Sequence, residues 1–253
     1  MDNKDLTVLA FDLDTSSRRS IVGTWSLLGV ELKKPIISEK ALKYNFTNEG
    51  SIGGTFSFFK NITGLWLIQE CKKIWDKENF QMGWDIIEKL SLEAQPFQFF
   101  INPDDKLFLN PPNMIKAIRQ YCKSRYNKFP KTVGEISRAI FESLALSYKY
   151  VLNIIEDAIQ KEVKILYVIG GGSQISLLNQ FTSNALNLIV NAGPIEATAI
   201  SNILVQALAL DKIDNVSELR TIVRSSFPIK EYLPKDTNIW ETAYDSYLRI
   251  MKP

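Results

Sequence analysis

Between Lys164 and Asn187 the chain runs KILYVIG, then GGSQ, then ISLLNQFTSNALN. A short β-branched, apolar strand runs into consecutive glycines and then into a segment with helical spacing of its apolar residues. A strand, glycine loop and helix in this order belong to open α/β sheets, where ligands collect at the carboxyl ends of strands. Gly170, Gly171 and Gly172 remove three successive Cβ atoms, so a flat ring or a phosphate can approach the backbone. The helix behind them is expected to present free N–H groups. Three glycines serve a tight turn equally well, and the motif alone does not choose.

The neighbouring segments extend an α/β reading. A second strand is expected over 188–191, and Pro194 stands at the start of the alanine-rich helix that follows. Thr132 to Gln160 reads as one long helix, with Ile136, Ile140, Leu144, Tyr148 and Leu152 in a stripe. A shorter helix opens near Pro111 or Pro112 and runs to about Arg125, and the tail from Val216 to Met251 adds two more. At the amino terminus, Leu6 to Leu13 and Ser20 to Val30 are two strand-like runs with a polar connection, which suggests a hairpin. Paired glycines at 53 and 54 mark a loop, and 61–74 reads as an amphipathic helix carrying Asn61 and Gln69 two turns apart on nearly one face. Each amide can both donate and accept to a ligand, or simply form the polar side of that helix.

Composition limits the chemistry. The 253 residues carry 30 Lys and Arg against 28 Asp and Glu, a net charge of +2, with 45% hydrophobic residues. This is the balance of a globular protein whose partner is small, and no basic block argues for nucleic acid. No apolar run is long enough to span a bilayer, so a soluble cytoplasmic protein is expected. Histidine is absent, which removes imidazole bases, Ser-His or Cys-His nucleophiles and His-ligated metals. Cys71 and Cys122 fit no metal or disulfide pattern. Chemistry is left to carboxylates, hydroxyls, amides, Lys, Arg and a bound cation. Asp12 to Arg19 gathers carboxylate, three hydroxyls and two guanidinium groups in one turn, suited to a Mg-bound phosphate or to a solvated hairpin tip. Gly23-Thr24 suits a backbone approached by phosphate, or a bulge.

In order, the segments GTWSLLGVE, FTNEG, FKNITGLWLIQE, FINPDDKLFLNPPNM, RAIFESLAL, VIGGGSQISLLNQ and AGPIEATAISNILVQ occur along the chain. This series resembles the rhamnulokinase branch of the FGGY carbohydrate kinase family, from Gly23 to the carboxyl terminus. The opening LAFDLDTSSRR is separately similar to the first phosphate motif of such kinases, DLGASSGR or DLGTSSGR. The resemblance implies an actin-like ATPase (ribonuclease H-like) α/β fold, a mixed sheet flanked by helices, corresponding to the second lobe of the kinase. It divides the chain into 1–22, a remnant of the first kinase domain, and 23–253, the nucleotide-binding domain.

Carried over residue by residue, the resemblance implies phosphate contacts from Thr15, Ser16, Ser17, Arg18, Arg19 and Thr24. It implies nucleotide contacts from Asn61, Gln69 and Gly171, with Asp12 orienting a hydrated Mg2+ beside ATP. The family reaction is transfer of the ATP γ-phosphoryl to the 1-hydroxyl of L-rhamnulose. The sugar pocket and the aspartate base have no counterpart here, so the sugar enters only if the missing lobe is supplied. Asp14 and Arg18 replace motif glycines, Ile175 a polar residue near the adenine, and Ser201 a glycine. The alternative is a non-catalytic lobe that holds nucleotide or self-associates.

Overall fold

The longest apolar stripe builds the longest helix. Thr132 Oγ1 accepts the Glu135 N–H at 3.1 Å while the Glu135 carboxylate accepts the Thr132 N–H at 2.9 Å, a reciprocal cap. From that cap the helix runs over Val133–Ile159, and Gln160 turns left-handed and stops it. Ile136, Ile140, Leu144, Tyr148 and Leu152 are all buried.

The computed structural model describes residues 7–78 apart from 13–24, and 82–251; over 7–12 it describes the backbone. The order is β1 (Thr7–Asp12), β2 (Trp25–Leu32), α1 (Glu39–Lys43), β3 (Thr47–Gly50), β4 (Phe56–Thr63), α2 (Trp66–Lys77), α3 (Trp84–Glu93), α4 (Met114–Tyr126) and α5 (Val133–Ile159). It continues with β5 (Ile165–Val168), α6 (Ser176–Leu186), β6 (Ile189–Ala192), α7 (Ala197–Ala209), α8 (Val216–Ser226), β7 (Lys230–Tyr232) and α9 (Thr237–Met251).

Among the described residues, seven strands form one mixed sheet in the order β3-β4-β2-β1-β5-β6-β7. The amino-terminal strand is central: β1 runs antiparallel to β2 and parallel to β5. Side chains alternate across a strand. Leu28 and Val30 of β2 join the core beneath α5, while Glu31 on the other face meets Arg220 of α8. Helices therefore cover both faces. Where β2 meets β4, Gly29 lies opposite Phe59, and a Cβ on Gly29 would stand 2.2 Å from Phe59 Cβ. Glycine is required by that close approach.

Two expectations change. Residues 61–74 are not one helix: β4 continues to Thr63 and α2 begins at Trp66. Asn61 is therefore a strand residue, opposite Leu27 of β2, and shares no helix face with Gln69. Phe58 and Ile62, both fully buried, are four residues apart, a spacing that fits a helix and a strand face equally, and pairing with β2 decides for the strand. The glycine region around 53 and 54 connects β3 to β4 in an unforeseen hairpin, and α3 was also not apparent in the sequence.

Candidate functional site at the glycine loop

At the end of β5 the chain reverses through Gly170, whose φ of 76° and ψ of −159° suit only glycine. Its N–H donates to Pro194 O at 3.2 Å, and the Gly193 N–H donates to Val168 O at 2.8 Å, which ties the loop to the end of β6. A 3₁₀ turn follows over Gly171–Gln174, closed by Ser173 Oγ donating to Gly170 O at 2.6 Å. The first N–H groups of such a turn have no acceptor within it. Asn179, buried in α6, reaches back to donate to Gly172 O at 3.2 Å and Ser173 O at 3.1 Å. Sequence reasoning passed over Asn179; its only signal is an amide between the apolar positions Leu178 and Phe181.

The helix behind the loop differs from expectation. Its first amides are not free: Leu177 N–H donates to Glu88 Oε2 of α3 at 2.7 Å, and Ser176 N–H is also bonded to Glu88. A carboxylate already neutralises the positive end of α6. Burial raises the Glu88 carboxyl above its ordinary range, against the lowering effect of these two amides and of Lys230, while nearby Asp85 adds to the rise. Ser176 Oγ lies 3.1 Å from both Lys230 Nζ and Tyr232 OH of β7.

On the side of the loop toward β7, a cleft of about 720 Å³ opens between Ser173–Ser176, Gly193–Glu196 and Phe227–Tyr232. Pro194, Ile195, Phe227 and Ile229 give it apolar walls, and Gln174, Glu196 and Lys230 place polar groups around them. Such a cleft, mostly apolar with few polar groups, suits a flat heteroaromatic ring.

Strand register shows what else reaches this end of the sheet. Ala10 pairs with Val168, Asp12 with Ser26, and Trp25 with Thr63. The backbone of Asp12, the start of β2, the end of β4 and the glycine loop thus share one sheet end. Gly171 lies in the loop itself. Gln69 is buried in α2, and Asn61 is exposed on β4. Thr15, Ser16, Ser17, Arg18, Arg19 and Thr24 lie outside the described residues, as does Asp14. Among the described residues, no three His, Cys, Asp or Glu side chains gather to hold a metal, and no helix is long and apolar enough to cross a membrane. Ile175 is buried, packed into the core, and Ser201 is exposed on α7. Cys71 and Cys122 are buried, and burial pushes both thiols up, Cys122 to about 12, so neither is a nucleophile.

Residues 19–210 match the FGGY family of carbohydrate kinases, C-terminal domain. The chain belongs to this family. It is 43% identical over 222 residues to a rhamnulokinase of Bacteroides thetaiotaomicron, covering 88% of the chain and 45% of that protein. It is 44% identical over 217 residues to a rhamnulokinase of Bacillus subtilis, covering 85% of the chain and 44% of that protein. The chain thus spans less than half the length of these relatives. Among solved structures, it is similar to a ligand-bound xylulose kinase of Lactobacillus acidophilus, with a TM-score of 0.66 at 10% identity, over 97% of the chain and 46% of that one. The glycerol kinase of Plasmodium falciparum with ADP also gives 0.66, at 12% identity and the same coverage. The mixed sheet with helices on both faces is the actin-like ATPase lobe of FGGY sugar kinases.

Proposed function

We propose that this chain is the nucleotide-holding lobe of a cytoplasmic, ATP-dependent rhamnulokinase. The observation that carries the reading is the glycine loop with its adjoining cleft of about 720 Å³, in a chain whose relatives are rhamnulokinases. In this reading the adenine enters the cleft against Gln174 and the loop backbone at Gly171. Asn61 and Gln69 add nucleotide contacts. The phosphates run toward the shared sheet end; the residues that would contact their oxygens are Thr15, Ser16, Ser17, Arg18, Arg19 and Thr24, and Asp12 would orient a hydrated Mg2+. The cation, when bound, neutralises charge on the β- and γ-phosphates.

The reaction transfers the γ-phosphoryl to the 1-hydroxyl of L-rhamnulose. The hydroxyl oxygen bonds to phosphorus as the bond to the β-phosphate oxygen breaks, ADP leaves, and the hydroxyl proton passes to a base. That base and the sugar pocket belong to the part of the kinase outside this chain's match, so this lobe contributes positioning and charge neutralisation. The reading predicts that millimolar Mg-ATP raises the thermal midpoint by several degrees, about 2.7 kcal/mol at a hundredfold excess over Kd. The chain alone is expected to release no ADP in response to L-rhamnulose. No thermal shift would sink the nucleotide reading.

A second reading rests on α7. From Ala197 to Leu210 it carries no charge, and its outer side leaves Ile203 66% and Leu210 69% exposed. An uncharged, apolar face of this kind marks an association surface. If the lobe is a non-catalytic module that self-associates, light scattering will find a dimer that Ile203→Glu converts to monomer with an unchanged thermal midpoint. A monomeric parent chain at high micromolar concentration rules this out.

A further inference from the structure

The first amides of a helix form a ready anion site, and after a glycine loop they are the obvious place for a ligand phosphate. In this chain they are taken. Glu88 reaches across from α3, 89 residues earlier in sequence, and accepts Leu177 N–H at 2.7 Å together with Ser176 N–H. The Ser176 hydroxyl lies 3.1 Å from Lys230 Nζ and Tyr232 OH, and all three residues line the cleft. The start of α6 thus has its first two amides held by a carboxylate and its Ser176 side chain at a cleft with apolar walls.

We propose that Glu88 sets the charge preference and orientation of the ligand, by holding the α6 amides with the protein's own carboxylate and so barring ligand phosphates from them. This rests on the nucleotide reading for the identity of the ligand, while the exclusion of anions from α6 stands on the geometry alone. Two effects act together. The Ser176 and Leu177 N–H groups, two of the donors that would bind phosphate, are already satisfied by Glu88, and its negative charge repels a second anion in a half-buried site where solvent screening is incomplete. An apolar-walled cleft then favours the uncharged end of a nucleotide, and the phosphates lie toward the Asp12 end of the sheet. Glu88 is a specificity residue in this scheme. It touches no reacting atom.

The test uses the full chain labelled with nitrogen-15, with pyrophosphate and adenosine titrated separately into the parent protein, Glu88→Gln and Glu88→Ala. In the parent chain, millimolar pyrophosphate is expected to leave the Ser176 and Leu177 amide resonances in place. In Glu88→Ala they move and saturate, with pyrophosphate binding at α6 tightened about tenfold or more. Glu88→Gln keeps a hydrogen-bond acceptor but loses the charge, so it gains less and also serves if the alanine variant is unstable. Adenosine affinity changes less than twofold in both. Unmoved amides in both variants, or amides that respond to pyrophosphate in the parent chain, overturn the proposal. If adenosine and ADP fail to bind the parent chain while Glu88→Ala gains pyrophosphate at α6, the nucleotide reading fails and the exclusion stands. If ADP binds the parent chain and neither variant gains pyrophosphate there, the reading stands and the exclusion fails.

Discussion

Deleting residues 1–12 is expected to leave a chain that does not fold cooperatively. β1 pairs with β2 from Val8 opposite Val30 to Asp12 opposite Ser26, and with β5 from Thr7 opposite Ile165 to Ala10 opposite Val168. Its loss exposes two edges in the middle of the sheet. Neighbouring strands are spaced about 4.8 Å apart, so β2 and β5 would stand roughly twice that distance from each other with nothing between them. Closing the gap would bring β2 beside β5 in an antiparallel pairing that the layers above and below are not built to accept. Buried backbone groups left without partners cost about 1–3 kcal/mol each, and several of them together rival the about 5–15 kcal/mol that holds a whole domain folded. Leu9→Pro tests the same point without shortening the chain, because proline cannot donate to a ladder and is confined to edge strands. Circular dichroism during urea titration should show no cooperative transition for either variant. A deletion with the parent's midpoint would mean that residues 1–12 are dispensable and that β2 and β5 manage without β1.

The central place of β1 separates what was legible in the sequence from what was not. Its hairpin with β2 is local and was readable from two adjacent apolar runs. Its parallel pairing with β5 joins residues more than 150 positions apart, and no pattern in either segment specifies the other. The helix α5 was legible to within a residue at each end because its cap and its stripe are local chemistry. The end of β4 was misread because the helical spacing of Leu65, Ile68 and Cys71 was extended back to Asn61, and the strand β2 that claims Asn61 to Thr63 lies elsewhere in the chain. At the site the glycine loop was visible, since its backbone at Gly170 demands glycine. Glu88 and Asn179 were not: a polar residue on an amphipathic helix looks the same whether it faces water or clamps a loop. Glu88 changes the expected chemistry most, turning helix amides assumed to be free into occupied ones.

Outside the β1 backbone, the largest effect of a single side chain is expected at Glu142. Its side chain is almost wholly buried, with Oε1 accepting from Arg138 Nε at 2.6 Å and Oε2 from Phe97 N–H at 2.9 Å. Arg138 Nη1 in turn donates to the carbonyls of Ser91, Leu92 and Ala94 at 3.0, 3.1 and 2.9 Å, holding the end of α3. Phe97 has a φ of 57°, unfavourable for a bulky residue, so the bond to Glu142 helps keep it there. Glu142→Ala strands the Phe97 N–H and a mostly buried guanidinium, a loss of about 3–5 kcal/mol in urea unfolding. Glu142→Gln separates shape from charge. Burial, outweighing Arg138 and the Phe97 N–H, raises the Glu142 carboxyl to about 7 from an ordinary 4.5. Because the folded value lies above the unfolded one, the folded state keeps a proton that the unfolded chain has released between those values. Stability from this group is therefore complete below about 4.5 and falls as pH rises toward 7, by up to about 3 kcal/mol. Relative to Glu142→Gln, which does not titrate, the parent chain should weaken steadily from pH 5 to 7 and then level off. A difference that stays flat, or that favours the parent chain as pH rises, would show that Arg138 keeps Glu142 ionised throughout, and that the latch is an ion pair at every pH where the lobe is folded.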